Sequence, residues 1–103
     1  MKRSEYISED TLDILHLLQE NSNISQRRLA KNTGFSLGKV NYCLRALLDI
    51  GFIKIQNFQN SENKLKYTYI LTSKGIYEKT IITKRFIIKK QQEYDKLNSY
   101  INK

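Results

Sequence analysis

Apolar residues recur along this chain with two different periods, and the changes of period divide it into elements. From Ile14 to Leu18, and again from Leu37 to Leu48, they return every three or four positions, the spacing of one helical face. Between Phe52 and Phe58, and between Lys66 and Thr72, β-branched and aromatic residues crowd together and the spacing is that of strands. From Ile76 the helical spacing returns and continues almost to the end. The pattern therefore predicts three helices, a β-hairpin and a long last helix: mostly α with a single hairpin, an α+β chain.

The ends of these elements carry their own signals. Ser8 is a natural N-cap, with Glu9 and Asp10 in the first turn where negative charge suits the helix dipole. That helix runs to about Glu20 and should bury Ile14, Leu15, Leu17 and Leu18. His16 projects opposite Ile14 and Leu18, exposed and without companions for metal binding. After the loop Asn21-Ser22-Asn23, Ser25 caps a second helix that buries Leu29 and Ala30 and ends over Lys31-Asn32-Thr33. Gly34 follows, where a chain leaving a helix most often takes a left-handed residue. Phe35 should pack under the turn, and Ser36 caps the third helix, 36–50, closed by Gly51. Helix, short glycine turn, helix is the helix-turn-helix arrangement, although an ordinary helical hairpin also places glycine there.

The third helix has two unlike sides. Leu37, Val40, Leu44, Leu47 and Leu48 fall on one, with Cys43 at its edge as a small buried hydrophobe. Gly38, Asn41, Tyr42 and Arg45 fall on the other, flanked by Lys39. Such a helix has an anchoring stripe and a polar face able to meet base edges in a major groove. Arg27 and Arg28 stand in the first turn of the second helix, and Lys39 in the first turn of the third. Positive charge there opposes the helix dipole, and phosphates held at the helix N-termini beside Ser25 and Ser36 would account for it. Arg45 has two readings, a guanine or phosphate contact and a surface ion pair with Asp49 four residues on.

Two β-rich runs around a loop of Asn, Ser, Glu and Lys, placed directly after this helix, read as a wing over residues 57–66. Lys64 and Lys66 near its tip can reach the DNA backbone or a minor groove; they can also simply keep an exposed edge soluble. Tyr67 and Tyr69 share a strand face and can pack under the wing. Thr72-Ser73 caps the final helix, which at ~1.5 Å per residue would be ~40 Å long. Its early half is apolar on two sides, with Tyr77, Ile81 and Ile88 on one and Ile76, Phe86 and Ile87 on the other. The second stripe continues as Tyr94, Leu97 and Ile101. Two apolar sides require two partners, the chain's own first domain and a second copy of the chain. The division is then residues 1–75 for DNA binding and 76–103 for dimerisation. The interface is expected to include Ile76, Ile81, Phe86, Ile87, Ile88, Tyr94, Leu97 and Ile101. Thr83 and Lys90 interrupt the seam, which favours crossing or antiparallel helices over a regular zipper.

Charge narrows the choice of partner. Across 103 residues, 18 Lys and Arg against 10 Asp and Glu leave a net charge of +8, so an anionic partner is favoured and nucleic acid comes first. The distribution is uneven: residues 1–24 carry a net of −3, residues 25–71 +6 and residues 72–103 +5. The first helix should face away from phosphate. No apolar run has membrane length, and MKRSEYISED does not have a signal-peptide pattern. One cysteine gives neither a disulfide nor a zinc set, which suits a reducing cytoplasm. No phosphate-binding glycine loop, Cys/His pairing or paired carboxylates point to catalysis, and no cofactor is expected. A protein-interaction or scaffold module would place apolar residues at Asn41, Tyr42 and Arg45, and a single-strand or RNA binder would range aromatics over a sheet.

The run ISQRRLAKNTGFSLGKVNYCLRALLDIGFI, followed by YTYILTSKG, resembles the MarR group of bacterial winged-helix regulators. The likeness covers roughly residues 8 to 90, and GKVNYCL and LTSKG are its most specific parts. Within that group it is most similar to a small subfamily associated with exopolysaccharide loci. The resemblance implies a winged helix-turn-helix followed by a dimerisation helix, and homodimeric, sequence-specific binding of double-stranded DNA in transcriptional regulation. By position it implies contacts from Ser36, Lys39, Asn41 and Tyr42 on the recognition helix and from Lys64 and Lys66 on the wing. The chain departs from the group in its single helix after the wing and in having lysine rather than arginine near the wing tip.

Overall fold

Six elements follow one another in the expected order. Three helices come first: α1 (Glu9–Glu20), α2 (Gln26–Thr33) and α3 (Leu37–Asp49). Two strands, β1 (Ile53–Gln59) and β2 (Leu65–Leu71), and the long helix α4 (Ser73–Ile101) complete the chain. The computed structural model describes residues 7–59 and 65–102. The expected wing loop, with Lys64, lies outside the described residues.

Each helix starts where a hydroxyl can satisfy a backbone donor that the first turn leaves over. The side chains of Ser8, Ser25, Ser36 and Thr72 accept from the backbone N–H of Thr11, Arg28, Lys39 and Gly75 respectively. Gly34 ends α2 with φ 78°, and its N–H donates to the Ala30 carbonyl. A residue with a side chain is strained in that conformation, so the tight turn into α3 depends on glycine here.

The core lies where α1, α2, α3 and the root of the hairpin meet. Ile14, Leu15, Leu18, Leu29, Val40, Leu44, Leu47 and Phe52 are almost wholly removed from water, with Cys43 and Ile53 beside them. Burial of each large apolar side chain contributes about 1.5–3 kcal/mol, so these positions carry most of the fold's stability. Thr11 and Thr68 are buried polar residues. The Thr11 hydroxyl donates to Cys43 Sγ at 3.5 Å. The strands are antiparallel, in a register that runs from Ile53 opposite Leu71 to Gln59 opposite Leu65.

Two expectations about facing are corrected. Leu37, placed on the buried stripe of α3, is 48% exposed, because it occupies the first helical position, ahead of the turn that reaches the core. On α4, neither anticipated stripe is the inner one. The residues that meet the core are Gly75, Ile82 and Phe86, seven and four positions apart, and Ile82 belongs to neither predicted stripe. Gly75 sets this phase. A β-carbon built on it would lie 2.0 Å from the Phe52 carbonyl oxygen, so only glycine lets the helix start against that backbone. Glycine adds nothing to an apolar pattern, which is why the inner stripe was misphased. Phe86, assigned to a dimer face, instead packs against the chain's own core. Ile76, Tyr77, Ile87 and Ile88 are exposed, and every described residue of α4 from Lys89 onward is exposed. The helix carries the molecule to a length of 66 Å.

Candidate nucleic-acid interface

α3 is anchored through Val40, Cys43, Leu44 and Leu47, so the opposite side of the same helix must face solvent. Gly38, Asn41, Tyr42 and Arg45 all lie there and are exposed, Tyr42 at 72%. A side chain this large and this exposed contributes little to the fold, and its hydroxyl and ring are presented outward. Tyr42 stands beside a groove of about 390 Å³ between α3 and the start of α1, lined also by Ser8, Thr11, Ala46 and Ile50. Arg45 is exposed, and no ion pair from it occurs among the described residues.

Arg27 and Arg28 are exposed in the first turn of α2 and likewise have no acidic partner among the described residues. Ser25 and Ser36 use their oxygens as caps, accepting from Arg28 N and Lys39 N at 3.1 Å each. Each hydroxyl keeps its own proton for donation. The N-terminus of α2 thus presents backbone N–H groups, a hydroxyl and two arginines together, the donor set that phosphate oxygens match, and that of α3 presents backbone N–H groups and a hydroxyl.

Lys39 differs from its neighbours. Its ammonium is bound to the Asp10 carboxylate of α1 at 2.5 Å and sits 4.2 Å from the centre of the Phe35 ring. Asp10 was not foreseeable as its partner, because the pair joins residues 29 apart and only the packing of α1 on α3 brings them together. The wing is tied to the helices by a second unanticipated contact, from Gln26 Nε2 at the start of α2 to the Tyr69 hydroxyl at 3.3 Å. Tyr69 is half-buried and packs against the core, whereas Tyr67 on the same face is exposed. Lys66 pairs with Phe58 in the strand ladder.

A separate groove of about 450 Å³ lies between α1 and α4, on the other side of α1. Leu12, Phe86, Ile87 and Tyr94 give it apolar walls, and Glu9, Asp13, Lys90 and Gln91 supply polar ones. Glu9 holds Lys90 at 3.1 Å. That hydrogen bond and the charge of Glu9 raise the Lys90 pKa. Asp13 is pushed up from the ordinary carboxylate value, first by partial burial and then by repulsion from Asp10 and Glu9. Among the described residues no group of His, Cys, Asp and Glu could hold a metal ion, and no helix is long and apolar enough to cross a membrane.

Residues 11–54, which run from α1 through the exposed face of α3 to the start of the hairpin, match the family model for winged helix-turn-helix DNA-binding domains. The fold is a winged helix-turn-helix. Among solved structures, the winged helix is similar to MepR, a transcription regulator of the Staphylococcus aureus multidrug efflux pump MepA, at 18% identity and TM-score 0.62. That alignment covers 95% of this chain and 77% of the other. It is similar to Streptococcus pneumoniae FabT in complex with DNA, at 16% identity and TM-score 0.60, over 88% of this chain and 62% of that one. Staphylococcus aureus MarR in complex with salicylate and kanamycin aligns at 16% identity and TM-score 0.66, over 89% and 60%. The winged helix thus spans about three-fifths of the last two chains, and likeness at these identities is a likeness of fold. No curated protein matches the sequence.

Proposed function

We propose that this chain is a sequence-specific, double-stranded-DNA-binding transcriptional regulator of the MarR type that acts as a homodimer in the cytoplasm. One observation carries the reading: α3 exposes Asn41, Tyr42 and Arg45 on a helix locked in place by the Gly34 turn, beside the exposed arginines of α2. In this reading α3 enters the major groove. Asn41, Tyr42 and Arg45 meet base edges, and Ser25, Arg27, Arg28 and Ser36 hold the flanking phosphates. Lys64 and Lys66 serve the wing. Residues 1–75 form the DNA-binding part and 76–103 the dimerising part, through Ile76, Ile81, Ile87, Ile88, Tyr94, Leu97 and Ile101. The exposure of Ile87, Ile88, Tyr94, Leu97 and Ile101 supports that assignment, since so long an apolar row in water favours a partner. GKVNYCL and LTSKG support placement beside the exopolysaccharide-associated subfamily.

Selection of genomic fragments by the purified protein, followed by gel shifts on the enriched sites, tests the reading. Enrichment of a short, two-fold symmetric motif is expected. Absence of any duplex binding at low salt would refute it.

A further inference from the structure

Glu9 and Asp10 are adjacent in the first turn of α1, yet they serve different surfaces. Glu9 points to α4 and holds Lys90. Asp10 points to α3 and holds Lys39 in the first turn of the helix whose outer face meets DNA in the reading above. The Lys39 ammonium is fixed from two directions, by the Asp10 carboxylate and by the π face of Phe35, itself the residue just before the Ser36 cap. Lysine and carboxylate are each 44% exposed, so the pair lies at the surface, where a DNA phosphate would come close to both.

That position has an electrostatic consequence. A cation on a DNA-binding surface adds to affinity for every duplex by replacing counterions condensed on the phosphates. A cation already neutralised by a carboxylate of the same molecule brings no net charge, and the carboxylate repels the phosphate that would displace it. Arg27, Arg28 and Arg45 have no such partner among the described residues. We propose that Asp10 is a specificity-determining residue. By neutralising Lys39 within the molecule it withholds one positive charge from indiscriminate phosphate binding, and discrimination is left to the outward side chains of α3. The inference rests on the proposed reading of the chain as a duplex-DNA binder.

The test is the salt dependence of binding to a labelled duplex of random sequence and to a fragment enriched from the genome, both measured on the full chain. Asp10→Asn keeps the shape of the side chain and removes its charge. Its plot of log affinity against log salt should steepen by close to one phosphate equivalent, ~0.9. It should gain more on the random duplex than on the enriched fragment, lowering the ratio between them. Glu9→Gln makes the same change in net charge on the neighbouring residue, directed at α4, and should leave the slope unchanged. Lys39→Ala in the Asp10→Asn background should restore the original slope, and Lys39→Ala alone should barely move it. Equal slopes for Asp10→Asn and Glu9→Gln would overturn the inference while leaving duplex binding intact. So would a loss of a full phosphate equivalent in Lys39→Ala alone. Failure of the unsubstituted protein to bind any duplex would overturn the functional reading and the inference together.

Discussion

Gly75 lies so close to the backbone of Phe52 that a β-carbon there would stand 2.0 Å from the Phe52 carbonyl oxygen. The same oxygen accepts from the Thr72 N–H at 2.9 Å, and the Thr72 hydroxyl donates to the Gly51 carbonyl at 2.6 Å. The exit from α3, the root of the hairpin and the start of α4 are therefore fastened at one point.

Replacing that glycine should loosen all three. Gly75→Ala replaces a glycine in the first turn of α4, a change that by itself favours the helix, but the clash is with backbone that has little room to move. Overpacking should prevail and destabilise the protein by about 1–3 kcal/mol. Urea denaturation of the purified variant would measure this, and an unchanged midpoint would contradict the close approach.

On the reading face, Asn41→Ala and Tyr42→Ala should reduce preference for the enriched site by about 1–3 kcal/mol each while leaving random-sequence binding nearly intact. Arg28→Ala should do the reverse, weakening all duplexes alike and lowering the salt slope by ~0.9. Lys64→Ala should behave as Arg28→Ala does. Quantitative gel shifts over a range of salt concentrations separate the two behaviours.

Asp13 gives a pH test with a definite sign. Its carboxyl is pushed above the ordinary value of 3.8 in the folded chain, so the native state holds the proton more tightly than the unfolded state does. Its contribution to stability is therefore most favourable at low pH and is lost as pH rises from the ordinary value through the raised one. Asp13→Asn should raise the melting temperature at neutral pH, with the gain shrinking to nothing as the pH falls below 3.8. A constant difference across that range would contradict the assigned cause.

Leu97→Glu and Ile101→Glu place charge on a part of α4 where every described residue is exposed. They should leave the thermal unfolding of the winged helix almost unchanged and convert a dimer to a monomer in sedimentation. Loss of paired binding should then cost about 10²–10⁴ in affinity for a symmetric site. A protein that sediments as a monomer without substitution would remove the assigned role of this surface.

Most of the fold was legible because local chemistry marks it. Ser8, Ser25, Ser36 and Thr72 are caps by residue type and position, Gly34 takes the left-handed turn, and the strand residues pair as their crowding implied. The misphased face of α4 had another cause. Its alignment is decided by a residue with no side chain meeting a carbonyl more than twenty positions earlier, and hydropathy does not register such a contact. The outward residues of α3 were legible from periodicity once its buried stripe was known. The engagement of Lys39 by Asp10, and of Gln26 by Tyr69, was not, since each joins elements whose approach is set by the packed core.

The exposed C-terminal stretch of α4 has a consequence for how such a protein can change over time. On a helix each residue is a step of ~1.5 Å and ~100°. In the proposed dimer, inserting one residue near Lys89 would turn the apolar row away from its partner, while inserting seven would bring it back nearly into phase. The distance between two reading heads could therefore drift only in coarse, gear-like increments. Operator spacing would change by jumps, even where the bases recognised change one at a time.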